Sequence, residues 1–159
     1  MAHISTGDVD EAHDLVQEAM LKLVQHYASR HEDEWGPLFH RILQSKIRDW
    51  YRRTTVRNRV RVWLGQSDGD DELDPLERIP DTSAPNADER LVHKRATQAL
   101  DIALRALPLR QQQAFLLRVW EEYDVTQTAR IMGCSDGSVK THLSRALHTL
   151  RERLGEHWP

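Results

Sequence analysis

Apolar residues recur at intervals of three and four along this chain, with polar residues between them. That spacing matches the turn of an α-helix and predicts helices with one buried face. In the first such stretch Val9, Ala12, Leu15, Val16, Ala19, Met20, Leu23, Val24 and Tyr27 form the apolar stripe. Asp8 is placed to cap this helix, with Glu11 reaching back as in a capping box. Gly36-Pro37 begins a second helix, because proline is tolerated in a first turn. Its core face would be Leu38, Phe39, Ile42, Leu43, Ile47, Trp50 and Tyr51, and the polar run from Ser29 to Trp35 ahead of it reads as a loop. A third helix is expected from a capping pattern at Asn86–Glu89 to Leu107, where Pro108 stops it. Leu91, Ala99, Leu100, Ala103, Leu104 and Leu107 would pack it.

The stretch from Val125 to Leu154 predicts a short helix, a tight turn and a longer second helix. Val125, Ala129, Ile131 and Met132 share one side of the first helix. Gly133 ends it, since glycine reaches left-handed backbone angles without steric cost. Ser135 is placed to cap the next helix. Val139, Leu143, Leu147, Leu150 and Leu154 fall on the buried face of that helix, and Lys140, Thr141, Ser144, Arg145 and His148 on the other. This is a helix-turn-helix layout, whose second helix enters a DNA major groove. By pattern alone it is equally a packed helical hairpin with a solvated face.

Charge sharpens the picture. The net charge of −3 hides a basic–acidic–basic order. From Arg41 to Arg61 eight cations (Arg41, Lys46, Arg48, Arg52, Arg53, Arg57, Arg59 and Arg61) oppose Asp49 alone. The acids gather between Asp68 and Glu89, where only Arg78 opposes them, and basic residues exceed acidic ones again from Arg90 onward. Local sign, not net charge, governs contact with phosphates. Gly65 to Pro85 is rich in Gly, Pro, Ser and acids and lacks apolar period, which predicts a flexible acidic linker. The expected fold is therefore all-α. Two small helical lobes, 1–64 and 86–159, are joined by the linker 65–85, and the second lobe carries the helix-turn-helix.

Several classes of function are excluded or weakened. No Walker loop, Gly-rich dinucleotide turn or HExxH occurs, and no nucleophile–base pair can be assigned. The nine histidines are scattered without metal-ligand spacing, so neither a metal site nor a cofactor is expected. A single cysteine, Cys134, rules out an internal disulfide framework and suits a reducing cytoplasm. No run is apolar enough to span a membrane. The opening MAHISTGDVDE lacks the basic and apolar regions of a signal peptide.

Three groups of residues carry a family likeness. Leu107-Pro108 with Arg110-Gln111, then Ala129 and Gly133, then Gly137 to Thr141 with Arg145-Ala146, closely resemble the promoter-binding C-terminal domain of sigma-70-family factors. The likeness is strongest to the small extracytoplasmic-function group. Upstream, Asp14-Leu15-Val16-Gln17-Glu18 resembles the helix with which these factors bind the clamp of core RNA polymerase. Arg41-Ile42, Asp49 and Arg52-Arg53 resemble the segment that opens and reads the −10 promoter element. Family members carry a further amphipathic helix ahead of the first of these. Only Met1 to Gly7 precede it here, so the N-terminal lobe is expected to lack that helix.

The resemblance implies a sigma factor without catalysis of its own, acting in the cytoplasm. Its partners would be core RNA polymerase and promoter DNA, with room for an anti-sigma factor. Polymerase contact falls to Asp14, Gln17, Glu18 and Lys22. Contact with the −10 region falls to Arg41, Arg48, Arg52 and Arg53, with His31, Glu32 and Asp33 in a loop that captures a flipped base. At −35, Lys140, Thr141, Ser144 and Arg145 would face the groove, with Ser138 and His142 on phosphates. Trp50 and Tyr51 either pack in the core or stack on unpaired bases. Two alternatives stay open: a DNA-binding regulator that never joins polymerase, and a protein that sequesters a partner.

Overall fold

The computed structural model describes residues 1–63 and 87–155, with side chains over 1–56 and 96–155. The expected acidic linker, the cap at Asn86 and the packing of Leu91 lie outside the described residues. Seven helices are described, α1 (Ala2–Thr6), α2 (Val9–Tyr27), α3 (Glu32–Trp63), α4 (Ala87–Arg105), α5 (Leu109–Phe115), α6 (Val125–Met132) and α7 (Asp136–Leu154). Helix α5 runs on into a π-helical turn over Leu116–Trp120. The described residues hold helices and turns but no strand.

The N-terminal core forms where α2 lays Ala12, Leu15, Ala19 and Leu23 against Ile42, Leu43 and Ile47 of α3. Ile47 is fully enclosed, and truncating such a side chain to alanine costs roughly 2–5 kcal/mol. Asp8 does cap α2, its Oδ1 accepting from the N–H groups of Asp10 at 2.8 Å and Glu11 at 3.0 Å. The reciprocal half of the expected capping box is not made. Glu11 instead accepts from Trp50 Nε1 at 2.9 Å, tying α2 to α3 across the core. Trp50 thus packs against the core, whereas Tyr51, read as a core residue, is 51% exposed. Within the described residues the lead-in Ala2–Thr6 is helical, a segment the sequence reading left without structure.

Helix α3 begins four residues before Gly36-Pro37. The supposed loop is therefore shorter than expected, with Glu32 and Asp33 in the first helical turn and His31 just ahead of it. Three acids at the positive end of a long helix explain the early start. Pro37 is the sixth residue of α3, so its missing N–H forfeits one intrahelical bond, the one to the Asp33 carbonyl.

The C-terminal lobe has two adjoining clusters. In one, Ala103, Leu104 and Leu107 of α4 and its end meet Phe115, Leu116, Ala146, Leu150 and Leu154. In the other, Ala114 and Leu117 meet Ala129, Ile131 and Met132 of α6 and Val139 of α7. Leu143 and Leu147, expected in the core, are half-buried at its edge.

Candidate nucleic-acid interface

Two local devices set the angle between α6 and α7. Gly133 ends α6 at φ 63°, and its N–H returns to Ala129 O. Ser135 then takes extended backbone, and its Oγ accepts from the Ser138 N–H at 3.2 Å. Both were legible in the sequence. Two further ties were not. Asp124 and Gln127 make a reciprocal capping box at the start of α6, at 2.7 and 2.9 Å. Arg110 Nη1 donates to Met132 O at 2.7 Å, which places a cation on the negative end of α6 and fixes α5 beneath the turn. The signals were the D-x-x-Q spacing and the arginine of the LPLRQ lead-in.

On the outer face of α7, Lys140, Thr141, Ser144 and Arg145 are all exposed. Their spacing of one and four residues keeps them on one side of the helix. Ser138 and His142 are half-buried on its flanks. Thr141 Oγ1 donates to Gly137 O at 3.0 Å, and Ser138 Oγ lies 2.9 Å from Ser135 Oγ, so both hydroxyls already have partners. Among the described residues, Lys140, Ser144 and Arg145 make no side-chain hydrogen bond or ion pair. His142 is held below the ordinary histidine range, first by burial and then by the charges of Arg110 and Arg145. An arriving phosphate would reverse that push.

The basic residues of α3 form a second surface. At 3.6 residues per turn, Arg41, Arg48 and Arg52 fall within about 40° of one another around the helix, while Arg53 turns to the adjoining side. Arg52 pairs with Asp49 at 3.1 Å, both well exposed, a contact worth little in water. His31 pairs with Asp33 at 3.1 Å in the same setting. Asp33, Glu34, Pro37, Leu38 and Arg41 line a cleft of about 370 Å³, and Gln127, Arg130 and Ile131 of α6 form its other wall.

The third surface lies on α2. Asp14, Gln17, Glu18 and Lys22 are exposed there. Glu18 accepts from Lys46 Nζ at 2.5 Å, which draws its carboxyl below the usual range. The sequence reading missed what stands beside them. Met20 and Val24, assigned to the core stripe, are 56% and 59% exposed, and Leu21 is 62% exposed. The available clue was Leu21, an apolar residue off a stripe already broad enough to fill the core. No group of three potential metal ligands occurs among the described residues, and no described helix is long and apolar enough to cross a membrane.

Residues 97–150 match the family described as Sigma-70, region 4. The chain is 34% identical to the RNA polymerase sigma-E factor of Streptomyces avermitilis over 114 residues, 71% of this chain and 60% of that protein. It is 27% identical to the ECF RNA polymerase sigma factor SigM of Mycobacterium tuberculosis over 156 residues, 98% of this chain and 70% of that one. The fold is similar, at a TM-score of 0.64 and 24% identity, to a sigma factor RpoE from Bartonella quintana solved with the anti-sigma factor NepR. That match covers 96% of this chain and 86% of the other. The chain spans about 60% of the length of the Streptomyces sigma-E factors it matches.

Proposed function

We propose that this chain belongs to the extracytoplasmic-function group of the sigma-70 family and directs transcription initiation by bringing core RNA polymerase to promoters. The observation that carries the reading is the outer face of α7, where Lys140, Ser144 and Arg145 stand exposed on a helix held by the Gly133 turn and the Ser135 cap. Arg145 reads a base, since a guanidinium pairs with both major-groove acceptors of guanine. Lys140, Thr141 and Ser144 face the groove beside it, while Ser138 and His142 meet phosphates and fix register without specifying sequence.

Residues 86–159 act on this reading as the −35 lobe and residues 1–64 as the polymerase and −10 lobe, with 65–85 between them as an acidic linker. On α3, Arg41, Arg48, Arg52 and Arg53 follow the backbone of the −10 region. Tyr51 is the aromatic side chain available to stack on an unpaired base there, because Trp50 is committed to Glu11. His31, Glu32 and Asp33 contact the −10 element from the start of α3. On α2, Asp14, Gln17, Glu18 and Lys22 dock on polymerase together with Met20, Leu21 and Val24. An exposed apolar patch rimmed by polar residues is the usual form of a protein contact. Phosphodiester bond formation belongs to the polymerase. The site of action is the cytoplasm, where polymerase and chromosome meet, and an anti-sigma factor is a further partner of the same surfaces.

Gel filtration with purified core polymerase tests the reading. The wild-type chain should co-elute with core, and Gln17→Ala/Glu18→Ala, which keeps α2 helical, should co-elute less. A folded chain that binds DNA but never co-elutes would make this a regulator that works without polymerase.

A further inference from the structure

Helix α7 opens with an acid, an unexpected charge on a helix whose outer face suits phosphates. Asp136 is its first residue, directly after the Ser135 cap, and it is exposed. Thr126 Oγ1, from the first turn of α6, donates to Asp136 Oδ2 at 3.1 Å. That bond ties the two motif helices together and restricts where the carboxylate points. Among the described residues Asp136 Oδ1 accepts no hydrogen bond and Asp136 joins no ion pair, although Lys140 follows one turn later. In an α-helix every Cα–Cβ bond tilts toward the N-terminus, so the first side chain leads the helix into whatever it enters. In a helix-turn-helix the N-terminal residues of the second helix meet base edges.

A second observation at the same turn points to a close partner. Gly137 is the next residue, inside α7, where glycine is a poorer helix former than alanine. It does not have a positive φ. A Cβ there would meet nothing nearer than Ser135 Oγ at 3.9 Å, an ordinary contact. No contact among the described residues therefore requires glycine. A bare, exposed backbone of this kind admits the close approach of another molecule.

Carboxylate chemistry limits what Asp136 can meet in a groove. It only accepts hydrogen bonds, and phosphates repel it. Guanine offers the major groove two acceptors, N7 and O6, and thymine offers O4 and a methyl group. Adenine sets its N6 donor beside the N7 acceptor. Cytosine presents its N4 amine with no acceptor on the same base edge, which makes it the partner of an acid. An acid in the first turn also favours the helix itself, a role that carries no base preference.

We propose that Asp136 is a specificity-determining residue of the −35 contact, accepting from the N4 amine of a cytosine, with Thr126 as the positioning residue that aims it. The assignment deepens the sigma-factor reading and rests on it. Asp136 selects by rejection as well as by attraction, because guanine or thymine at that position sets acceptor against acceptor.

The test captures randomised duplexes with the full chain bound to core polymerase and sequences what is retained. The unmodified chain should enrich a −35 motif in which one position favours cytosine over guanine on the order of tenfold. Asp136→Ala should level that position alone. Asp136→Asn should pass its preference to adenine, which an amide pairs through N6 and N7. If Asp136→Ala loses helicity by circular dichroism, Asp136→Asn, which can still accept from Thr126, carries the test. Thr126→Val should blunt the cytosine preference, and Thr126→Ser, which keeps the hydroxyl, should restore it. On unrelated DNA, Asp136→Ala should bind more strongly, on the order of twofold, since a negative charge leaves the interface. An unchanged cytosine preference in a folded Asp136 variant, an equal loss at every position, or weaker binding to unrelated DNA each overturns the assignment and leaves the sigma-factor reading standing. An unchanged preference in Thr126→Val removes Thr126 from it. If the unmodified chain enriches no sequence, the assignment and the sigma-factor reading fall together.

Discussion

Helices α2 and α7 are both nineteen residues long, and both lay one face on a core, yet their outer faces differ in kind. The outer face of α7 offers a lysine, a serine and an arginine beside two hydroxyls already committed. That of α2 offers Met20, Leu21 and Val24 among polar residues. Charges and hydroxyls suit phosphates and base edges. Apolar side chains gain nothing there but gain much from a protein that excludes water. On the proposed reading the same helical pattern serves two partners, and the outer face tells them apart.

The contrast breaks most visibly if the apolar patch is removed. Met20→Ser/Leu21→Ser/Val24→Ser should weaken association with core polymerase by about 2–4 kcal/mol, the scale of an interface hot spot. Binding of the isolated chain to −35 DNA should not change, as a filter or anisotropy assay would show. Loss of both activities together would mean that the two faces are not separate.

A smaller effect is expected from Arg145→Ala. It should cost roughly 1–3 kcal/mol on the preferred −35 sequence and far less on unrelated DNA. Equal losses on both, with a shallower salt dependence, would reassign Arg145 to phosphate. Polymerase association should be untouched. Ser135→Ala should lower thermal stability by about 1 kcal/mol through loss of the α7 cap. If the melting temperature does not move, the cap does not hold the turn.

The smallest effect concerns pH. In the free chain the His142 pKa is depressed, first by burial and then by Arg110 and Arg145. A phosphate at this position would raise it, so the complex holds more protons than the free chain. Affinity should then fall as pH rises through the histidine range, on the order of threefold because the group is near solvent. His142→Gln should flatten the profile. An unchanged profile in the variant would place the titration elsewhere.

Sequence reading succeeded where the information is local. Gly133, Ser135 and the α7 period lie within a few residues of the features they make, and the structure follows them. Family likeness added the surfaces of α2 and α3, which no local pattern assigns. The start of α3 was misread because Gly36-Pro37 is a strong local mark, while Glu32 to Glu34 act through the field of the whole helix. Met20 and Val24 were misread because a broad stripe does not reveal which of its members a neighbouring helix covers. The pairing of His40 with Tyr123 spans 83 residues and leaves no trace in spacing. Arg110 was legible as a motif letter but not as the donor to Met132 O.

The most direct test of the central claim is transcription from sheared genomic fragments by purified core polymerase, with and without the chain, read by sequencing RNA 5′ ends. The account predicts start sites that depend on the chain and share one pair of upstream elements near −10 and −35. It also predicts that Met20→Ser/Leu21→Ser/Val24→Ser abolishes those starts and that Arg145→Ala weakens them. The same start sites with and without the chain would contradict it.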